Sequence, residues 1–421
     1  MPKFHTLGDW LRWQETLHPR EIDLGLERVT AVADRMQVRQ LPAQIITVAG
    51  TNGKGSTVTL LESILLSAGY HVGAYTSPHL LRYNERIRIN GREADDADLC
   101  KAFDTIDRLR NPHSLTYFEF GTLAALWIMQ QKQPDIVLLE AGLGGRLDAV
   151  NAVDTDIAIV TSIGIDHERW LGSDRDTIAL EKAGILRREK PAICSDPAPP
   201  QRLREAATAL GAHWYCLDEQ FRFDRFEDVW HWSGPDTRHE SLPLPALSGA
   251  HQLRNAAGVL MALELLRDKF PVERKALEQG LQNVVLPGRC QFLRGVRDIV
   301  LDVAHNPQSA MQLAEVLEQQ PTTGKTYAVL GMLEDKDIGE YTENLAAVVD
   351  HWCLAGLGGD RGLQSGELLR RASTSINRDR ISCFPDVASA VRHAIRASAA
   401  DDRIVICGSF HTVAEAMSCA V

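Results

Sequence analysis

The chain has 421 residues and a net charge of −11, from 45 Lys and Arg against 56 Asp and Glu. This length predicts two or three domains rather than one core. With 44% hydrophobic and 24% charged residues, the composition is that of a globular protein and excludes a disordered chain. The acidic balance argues against a broad nucleic-acid-binding surface, so an anionic ligand must meet locally concentrated positive charge.

The N-terminal region and the cysteines indicate the compartment. The segment MPKFHTLGDWLRW lacks the apolar core of a signal peptide, and no later apolar run is long enough to span a membrane. The eight cysteines are scattered without a CxxC pair, which predicts reduced thiols rather than a zinc site or a disulfide framework. We therefore expect a cytoplasmic protein that binds neither membrane nor nucleic acid.

The first half of the chain alternates strand and helix patterns. Residues 41–49 form a short apolar run, and apolar residues at helical spacing then continue to Gly69, a residue typical of a helix C-terminus. The strand-like run HVGAYT follows, which completes a βαβ unit and predicts a parallel sheet. Residues 135–140 and 156–163 are continuous apolar runs of the kind found in strands buried on both faces.

The pattern changes between about residues 196 and 245. The stretch that begins at Phe221 alternates polar and apolar residues around a turn-prone SGPD, which predicts a small antiparallel excursion. A helical pattern follows over 251–266, and Pro287 with Gly288 then marks a domain junction. Strand and helix patterns alternate again from there to the end of the chain.

The most informative motif is the glycine-rich turn GTNGKGS at residues 50–56, between a strand and a helix. Its glycines let backbone N–H groups point inward, and the helix N-terminus adds partial positive charge. Lys54 would reach phosphate oxygens, and the Ser56 hydroxyl would meet Mg²⁺. The spacing departs from a strict Walker A motif, because Gly55 separates Lys54 from Ser56. A plain structural turn is the alternative, but the combined features favour phosphate binding.

Three further polar residues follow predicted strands. Glu140 ends its strand before a glycine-rich loop, where a magnesium-holding acid belongs, and a solvated acid is the alternative. Ser77 could bind a metal or cap a turn. A single histidine such as His167 is more often a hydrogen-bonded structural residue than a ligand. Because the carboxyl ends of parallel strands share one edge, we expect all three near Lys54.

Arg82, Arg86 and Arg88 follow the Ser77 loop in LLRYNERIRING. A solvated strand face would explain them, but three arginines near a phosphate site in an acidic protein suggest a place for an anionic substrate. Together these patterns predict an α/β fold. A P-loop-type, mostly parallel-sheet ATPase domain would cover residues 1–287, and a smaller Rossmann-like domain would cover 288–421.

A family resemblance emerges from the motifs taken in order. GTNGKGS, TSPHL with NERI, EAGLGGRLDAVN, DHERWLG, EKAGI, PGR, DVAHNP and GSFHTV together resemble the dihydrofolate synthase/folylpolyglutamate synthase branch of the Mur ligases. Each motif is weak, but the ordered set, which extends from Asp23 to Val413, is highly specific. Nothing is carried over for about 196–245. The resemblance implies an ATP-dependent ligase that joins L-glutamate to dihydropteroate and to other folates such as tetrahydrofolate.

The resemblance also implies roles for individual residues around ATP and magnesium. The residues that would contact ATP are Gly53, Lys54, Gly55, Ser56, Asn255, Arg289 and Asp302. Those that would hold one or two Mg²⁺ ions are Ser56, Ser77, Glu140, His167 and a carbamylated Lys182. An ordinary surface lysine is the alternative for Lys182, and K⁺ is a further candidate ion.

The substrate side follows from the same resemblance. The pterin-side pocket would be lined by Asp23, Leu24, Gly25, Leu26, Thr76, Thr116, Tyr117, Phe118, Glu119, Leu147, Asp148 and Ala149. Arg146 and Arg289 would stabilise charge during the reaction. The residues expected to face the glutamate side are His305, Ser409 and His411.

The implied reaction explains why two domains are expected. A carboxylate is a poor acyl donor, so it would first take the γ-phosphoryl group of ATP and form an acyl phosphate, which the glutamate amine then attacks. Because ATP would contact both domains, we expect a hinge near residues 287–297 that closes the C-terminal domain over ATP and excludes water. Relatives of this type are usually monomers.

Two other functions compete with this interpretation. Cell-wall Mur ligases share the ATP chemistry, but they carry a UDP-sugar-binding domain before the phosphate loop, and the 49 residues before Gly50 are too few for one. A nucleotide-binding regulator without synthetic activity would need neither a carbamylated lysine nor a second Rossmann-like domain.

Overall fold

The computed structural model describes residues 3–359, 361–372, 374 and 376–419. Residues 1 and 2 of the first predicted domain and residues 420 and 421 of the second therefore lie outside the described residues. The chain divides into two compact units: Met1–Ala246 with Leu253–Val284, and Leu247–Gln252 with Val285–Val421. In the described part of the chain, every helix is too short or too polar to cross a membrane.

The first unit combines helices with two groups of strands. Its helices are α1 (Leu7–Leu17), α2 (Glu27–Met36), α3 (Lys54–Ser67), α4 (Asp96–Leu109), α5 (Tyr117–Lys132), α6 (Glu168–Leu171), α7 (Arg175–Ala183), α8 (Gln201–Leu210), α9 (Ala250–Leu266), which begins in residues of the second unit, and α10 (Arg274–Asn283). Its strands are β1 (Gln44–Ala49), β2 (Val72–Tyr75), β3 (Ile87–Ile89), β4 (Arg92–Glu93), β5 (Ile136–Glu140), β6 (Ile157–Val160), β7 (Pro191–Cys194), β8 (His213–Cys216), β9 (Arg222–Arg225), β10 (Val229–Ser233) and β11 (Arg238–Pro243). Short 3₁₀ helices cover Tyr83–Arg86 and Ala149–Ala152.

The main sheet of this unit has the strand order β4-β3-β2-β5-β1-β6-β7-β8. Strands β2, β5, β1, β6, β7 and β8 run parallel, which confirms the predicted parallel sheet, whereas β3 and β4 are antiparallel. Every residue of β5 is buried, as expected of a strand covered on both faces. The order places the carboxyl ends of β2, β5, β1 and β6 side by side.

The antiparallel excursion is smaller than predicted. Strands β9–β11 do form a separate antiparallel sheet, but α8 and β8, which also lie within 196–245, belong to the main α/β layer. The short HWYC run of β8 extends the main sheet because each of its residues pairs in parallel with β7. Such a pairing partner cannot be recognised from a four-residue apolar run.

The second unit is an α/β layer whose strand and helix alternation confirms the predicted pattern. Its strands are β12 (Gln291–Leu293), β13 (Asp298–Leu301), β14 (Thr326–Leu330), β15 (His351–Ala355), β16 (Ile381–Phe384) and β17 (Arg403–Cys407). Its helices are α11 (Pro307–Gln319), α12 (Ile338–Leu345), α13 (Ser365–Arg371), α14 (Val387–Ala397) and α15 (Phe410–Ser418), with a 3₁₀ turn at Arg378–Arg380. The sheet order is β12-β13-β17-β14-β15-β16, parallel except for β12. The carboxyl ends of β13 and β17 are therefore neighbours.

The helix that carries the phosphate loop, α3, is held by close backbone packing against α10. Gly69 follows the end of α3 with φ +88°, which confirms the predicted C-terminus. On α10, a Cβ added to Gly280 would lie 2.4 Å from Ile64 Cα. The Ser63 hydroxyl also donates to the Gly280 carbonyl at 2.7 Å. Glycine is therefore needed there so that the two helix backbones can approach.

We expect Gly280→Ala to destabilise the protein by about 1–3 kcal/mol, because the added methyl group overpacks the helix contact. Gly8→Ala on α1 is the control, since its Cβ would meet only the flexible end of Arg12 at 3.4 Å. That control should be neutral or stabilising by up to about 1 kcal/mol. Urea denaturation followed by circular dichroism measures both changes, and equal effects of the two substitutions would contradict the packing argument.

Candidate active site

The phosphate loop joins β1 to α3 and is fastened to the segment that follows β6. The Thr51 N–H donates to the Ser162 carbonyl at 2.7 Å, and the Thr51 hydroxyl donates to the Gly164 carbonyl at 2.9 Å. The hydroxyls of Thr161 and Ser162 both donate to the Asn52 carbonyl, at 2.7 and 3.1 Å. The segment that follows β6 therefore fixes the shape of the phosphate loop, and the glycines of the loop contribute to that shape.

Two glycines in this loop allow side chains to approach its backbone. A Cβ on Gly50 would lie 1.7 Å from Thr161 Oγ1. Gly53 has φ +91°, and a Cβ there would lie 2.5 Å from Asn255 Oδ1. No larger residue fits either position without displacing its neighbour. Asn255, for which the family resemblance implies an ATP contact, thus lies directly beside the phosphate loop.

Lys54 and Ser56 occupy the first turn of α3. The Lys54 ammonium donates to the carbonyls of Gly50 and Thr51 at 3.1 and 3.2 Å, so it lies over its own loop. Ser56 is buried. A cation and a hydroxyl at a helix N-terminus are the groups that phosphate oxygens and a phosphate-bound cation require.

The ends of β2 and β5 lie beside the phosphate loop. The Ser77 N–H donates to Glu140 Oε2 at 3.2 Å. A Cβ on Gly55 would lie 3.7 Å from the same Glu140 oxygen. The structure therefore brings Ser77, Glu140 and the phosphate loop together, in agreement with the strand order β2-β5-β1.

A buried lysine from α7 belongs to the same group of charges. Lys182 is 2% exposed, and its pKa is lowered to about 7, mainly by burial and then by the nearby charge of Lys54. The negative charges of Asp166 and Asp148 raise the pKa of Lys182, which partly offsets this lowering. These interactions require proximity, so Lys182 is not an ordinary surface lysine. At neutral pH, Lys182 is therefore an uncharged amine in a large fraction of the protein molecules.

Asp148 is buried beside these cations. Burial raises its pKa to about 6, against hydrogen bonds from backbone N–H groups and the charge of Lys54. Its carboxylate accepts the N–H groups of Leu143 and Val150 at 2.8 and 3.0 Å. Those bonds fold the glycine-rich loop after β5 and start the turn at Ala149.

His167 stands at the start of α6 with φ +53°, and its backbone N–H donates to the adjacent Asp166 carboxylate at 2.8 Å. Its carbonyl accepts the N–H groups of Trp170 and Leu171. The histidine is therefore next in the chain to the carboxylate whose charge acts on Lys182.

Arg146, expected to stabilise charge, is engaged by an acidic side chain. Its guanidinium pairs with Glu181 Oε1 at 2.8 Å, and its side chain is 55% exposed. The backbone at Arg146 packs on the end of α7, where a Cβ on Gly184 would lie 2.3 Å from Arg146 Cα. This contact places the loop after β5 against the helix that bears Lys182.

The predicted pterin-side residues come from separate elements. Asp23 pairs with Arg28 at 2.7 Å, and Arg28 also meets Glu119 at 3.2 Å. Glu119 and Thr116 form a capping box at the start of α5. The Phe118 ring lies against the loop after β5, because a Cβ on Gly142 would lie 2.6 Å from it. Of the remaining members, those that lie within three residues of these positions or of Asp148 in the chain are Leu24, Gly25, Leu26, Tyr117, Leu147 and Ala149. Thr76 instead directly follows β2.

The three arginines after Ser77 do not share one environment. Arg88 forms a largely buried ion pair with Glu62 at 2.7 Å, and the exposed Arg82 pairs with Glu93 at 3.6 Å. Arg86 is buried beside two tyrosine rings. Two of the three charges are thus already balanced by carboxylates, which argues against a common anion site.

In the second unit, the predicted residues gather at the carboxyl ends of β13 and β17. Asp302 accepts the N–H groups of Cys290 and Ala304, both at 2.7 Å. The Arg289 guanidinium lies 5.1 Å from the Phe410 ring centre, and the His305 ring lies 6.3 Å from it. Ser409 caps α15, and His411 is exposed. The roles of these residues remain predictions.

Sequence reasoning missed several residues that shape the site. Thr51 and Thr161 brace the phosphate loop, and Arg28 joins Asp23 to Glu119. Thr161 could have been noticed, because it is polar and directly follows an apolar strand. Arg28 offered no such signal, since one of its partners is distant in the chain.

Comparison with known proteins identifies the family. The Mur ligase middle domain matches residues 48–263, and the Mur ligase, glutamate ligase domain matches residues 288–410. The dihydrofolate synthase/folylpolyglutamate synthase of Escherichia coli (strain K12) is 44% identical over 411 residues, which are 98% of this chain and 94% of that protein. This chain belongs to the dihydrofolate synthase/folylpolyglutamate synthase family. The family and the fold class expected from the sequence are thereby confirmed.

Solved structures of this family share the fold throughout. E. coli FolC in complex with DHPP and ADP has a TM-score of 0.93 at 44% identity, covering 98% of this chain and 97% of that chain. A bifunctional folylpolyglutamate synthase/dihydrofolate synthase with Mn, AMPPNP and L-glutamate bound has a TM-score of 0.91 at 44% identity, covering 99% and 98%. The family similarity therefore extends over both units.

The buried Lys182 makes stability depend on pH. Its pKa is about 10.4 when unfolded and about 7 in the folded protein, so between these values the unfolded chain binds more protons. The contribution of Lys182 to the free energy of unfolding of the wild type therefore rises with pH in this window. Lys182→Met removes the titrating group, so its stability relative to the wild type should fall between about pH 7.5 and about pH 9.5.

Urea denaturation in CO₂-free buffers measures this trend. The control is Lys101→Met on α4, where the side chain is 68% exposed; its stability relative to the wild type should stay constant over the same range. Parallel pH profiles for the wild type and Lys182→Met would contradict a lowered Lys182 pKa.

Proposed function

We propose that this chain is an ATP-dependent ligase that joins L-glutamate to dihydropteroate and to tetrahydrofolate through an acyl phosphate. The observation that carries the proposal is the convergence of the phosphate loop, Ser77 and Glu140 at one sheet edge, with the buried Lys182 close to Lys54. The 44% identity with a dihydrofolate synthase/folylpolyglutamate synthase over 98% of the chain supports it.

The first step forms the acyl phosphate. The substrate carboxylate oxygen attacks the γ-phosphorus of ATP, a new O–P bond forms, and the bond to ADP breaks. Inward-facing N–H groups of the phosphate loop and the Lys54 ammonium stabilise the negative charge of the transferring group. Gly53 lets the loop take up its left-handed backbone conformation, with φ +91°.

The second step forms the amide bond. The glutamate amine attacks the activated carbonyl carbon, a C–N bond forms, and phosphate leaves with the bonding electrons. Water must stay away, because it would hydrolyse the acyl phosphate. In the proposal, the domain at 288–421 binds glutamate near His305 and closes over ATP about a hinge near 287–297, with Arg289 and Asp302 contacting the nucleotide.

The residues at the sheet edge fit a magnesium ion. Ser56 and Ser77 offer hydroxyls, Glu140 a carboxylate and His167 an imidazole, a donor set rich in oxygen that leaves positions for water and phosphate oxygens. When bound, Mg²⁺ polarises and neutralises phosphate oxygens. A related structure holds Mn with AMPPNP, which supports a divalent ion here. A second Mg²⁺ and a K⁺ ion, a monomeric state and a cytoplasmic location are parts of the proposal that rest on the family resemblance.

Lys182 would hold the second magnesium ion as a carbamate. The lowered pKa supplies the uncharged amine that attacks CO₂; an N–C bond forms, and the nitrogen loses a proton to water. The product is an anion in place of a cation beside Lys54. This change would balance the charge of Lys54 and create an oxygen ligand for the ion.

Labelling with ¹³C-bicarbonate tests the carbamate. We expect a protein-bound carbamate signal in the ¹³C NMR spectrum of the wild type that is lost in Lys182→Met, because the attacking amine is gone. Lys101→Met, which removes an exposed lysine, should keep the signal. A signal that survives in Lys182→Met would reject this role of Lys182.

The pterin-side pocket is proposed to lie beside the loop after β5. Phe118 offers an aromatic face, and Asp148 offers a buried carboxylate that can accept hydrogen bonds from ring N–H groups. E. coli FolC, which matches this fold, was solved with DHPP bound. The other pocket residues in this proposal are Asp23, Leu24, Gly25, Leu26, Thr76, Thr116, Tyr117, Glu119, Leu147 and Ala149.

An activity assay tests the function. The purified enzyme is given ATP and glutamate together with either dihydropteroate or tetrahydrofolate. We expect a glutamylated product from each substrate and ADP release that needs both the folate and glutamate. Product from dihydropteroate alone would remove the polyglutamylation activity. ADP release without an acceptor would favour a nucleotide-binding regulator and reject the ligase.

Lys54→Ala should lose at least about 2–3 kcal/mol of transition-state stabilisation, the worth of one preorganised electrostatic contact. The loss is measured as kcat/KM for ATP in the same assay. Lys101→Ala is the matched control and should keep wild-type activity, because that lysine is exposed on α4. Near-normal turnover of Lys54→Ala would exclude its role in phosphoryl transfer.

A further inference from the structure

A largely buried ion pair joins α3 to the strand that follows the Ser77 loop. The Arg88 guanidinium donates from Nε and Nη2 to Glu62 Oε2, at 2.9 and 2.7 Å. The side chains of Arg88 and Glu62 are 17% and 5% exposed. Burying two charges costs desolvation energy that their attraction often only offsets, so such a pair is weak evidence for a purely stabilising role. Its other contacts indicate what it does.

The remaining guanidinium nitrogen of Arg88 holds both ends of the Ser77 loop. Arg88 Nη1 donates to Thr76 Oγ1 at 2.9 Å and to the Glu85 carbonyl at 3.0 Å. Between these two points the loop is closed by the Glu85 carboxylate. That carboxylate accepts three consecutive N–H groups, at 2.6–2.7 Å, from Leu80, Leu81 and Arg82. One guanidinium thus fixes the two ends of a loop whose interior is held by the hydrogen bonds to Glu85.

These contacts determine where Ser77 stands. Thr76 directly precedes Ser77, whose N–H meets Glu140 at 3.2 Å. Glu62 lies on α3, the helix whose first turn carries Lys54 and Ser56. The Arg88 side chain therefore connects the Ser77 loop to the phosphate-loop helix. Only the planar, multidentate guanidinium can reach Glu62, Thr76 and Glu85 at once, and a lysine ammonium cannot.

We propose that Arg88 is a positioning residue for the metal site: held by Glu62, it fixes Ser77 relative to the phosphate loop through the Thr76 hydroxyl. This inference rests on the proposed function, in which Ser77 is a ligand of the nucleotide-bound Mg²⁺. In this inference the Thr76 hydroxyl accepts the hydrogen bond from Arg88, which is a role other than direct contact with the pterin. Residues that orient metal ligands in this way commonly change metal affinity 10–100-fold when replaced.

The test measures metal binding without turnover. Mn²⁺ is titrated into the full-length protein in the presence of a non-hydrolysable ATP analogue, and free Mn²⁺ is followed by electron paramagnetic resonance. We expect Arg88→Lys and Thr76→Val each to weaken Mn²⁺ binding by about 10-fold or more, in line with other groups that orient metal ligands. Arg82→Lys is the control, because Arg82 is exposed on the same loop, and it should bind Mn²⁺ like the wild type.

Activity provides the second readout. In Arg88→Lys the Mg²⁺ concentration for half-maximal activity should rise, whereas kcat at saturating Mg²⁺ should recover towards the wild-type value. A purely structural role would instead lower stability or kcat and leave metal affinity unchanged. Should Arg88→Lys fail to fold, Thr76→Val decides the matter, since it removes only the acceptor hydroxyl at nearly constant volume.

The outcomes separate this inference from the proposed function. Wild-type Mn²⁺ affinity in both Arg88→Lys and Thr76→Val would overturn the positioning role, and so would an equal loss of affinity in Arg82→Lys. A wild-type protein that binds no Mn²⁺ with the nucleotide analogue, or makes no glutamylated product, would instead overturn the proposed function.

Discussion

The site depends on the order of parallel strands in the first unit. Strands β2, β5, β1 and β6 are neighbours, so the segments that follow them emerge at one edge of the sheet. In a sheet whose faces are covered, this edge is where loops can gather polar groups without breaking the core. The phosphate loop, Ser77 and Glu140 come from three of these strands, and the fourth braces the loop through Thr161.

Burial of charge at this edge gives the site its chemical character. Lys54 and Lys182 are accompanied by Asp148 and Asp166, and the pKa of Lys182 is lowered while that of Asp148 is raised. Both shifts favour the neutral forms, because burial penalises each charge more than its opposite neighbours relieve it. A site of this kind gains most from ligands that bring charges of their own, as a nucleotide and its metal ion do.

Short-range features of this protein could be predicted from local residue patterns. The phosphate loop, the end of α3 at Gly69 and the alternation of strands and helices follow from glycine conformation and from hydrophobic periodicity within a few residues. The antiparallel excursion was predicted too broadly, because β8 is joined to the main sheet by a pairing with β7. Pairing depends on partners that a short apolar run does not reveal.

The contacts between side chains and the pKa values of buried groups could be known only from the folded structure. The sequence indicated which residue types could bind phosphate and magnesium, and the ordered motifs indicated the family. It could not show that Arg88 is paired with Glu62 or that Arg28 joins Asp23 to Glu119. Nor could it separate a buried Lys182 from a surface lysine, because a pKa is set by desolvation and by charges that folding brings near from distant parts of the chain.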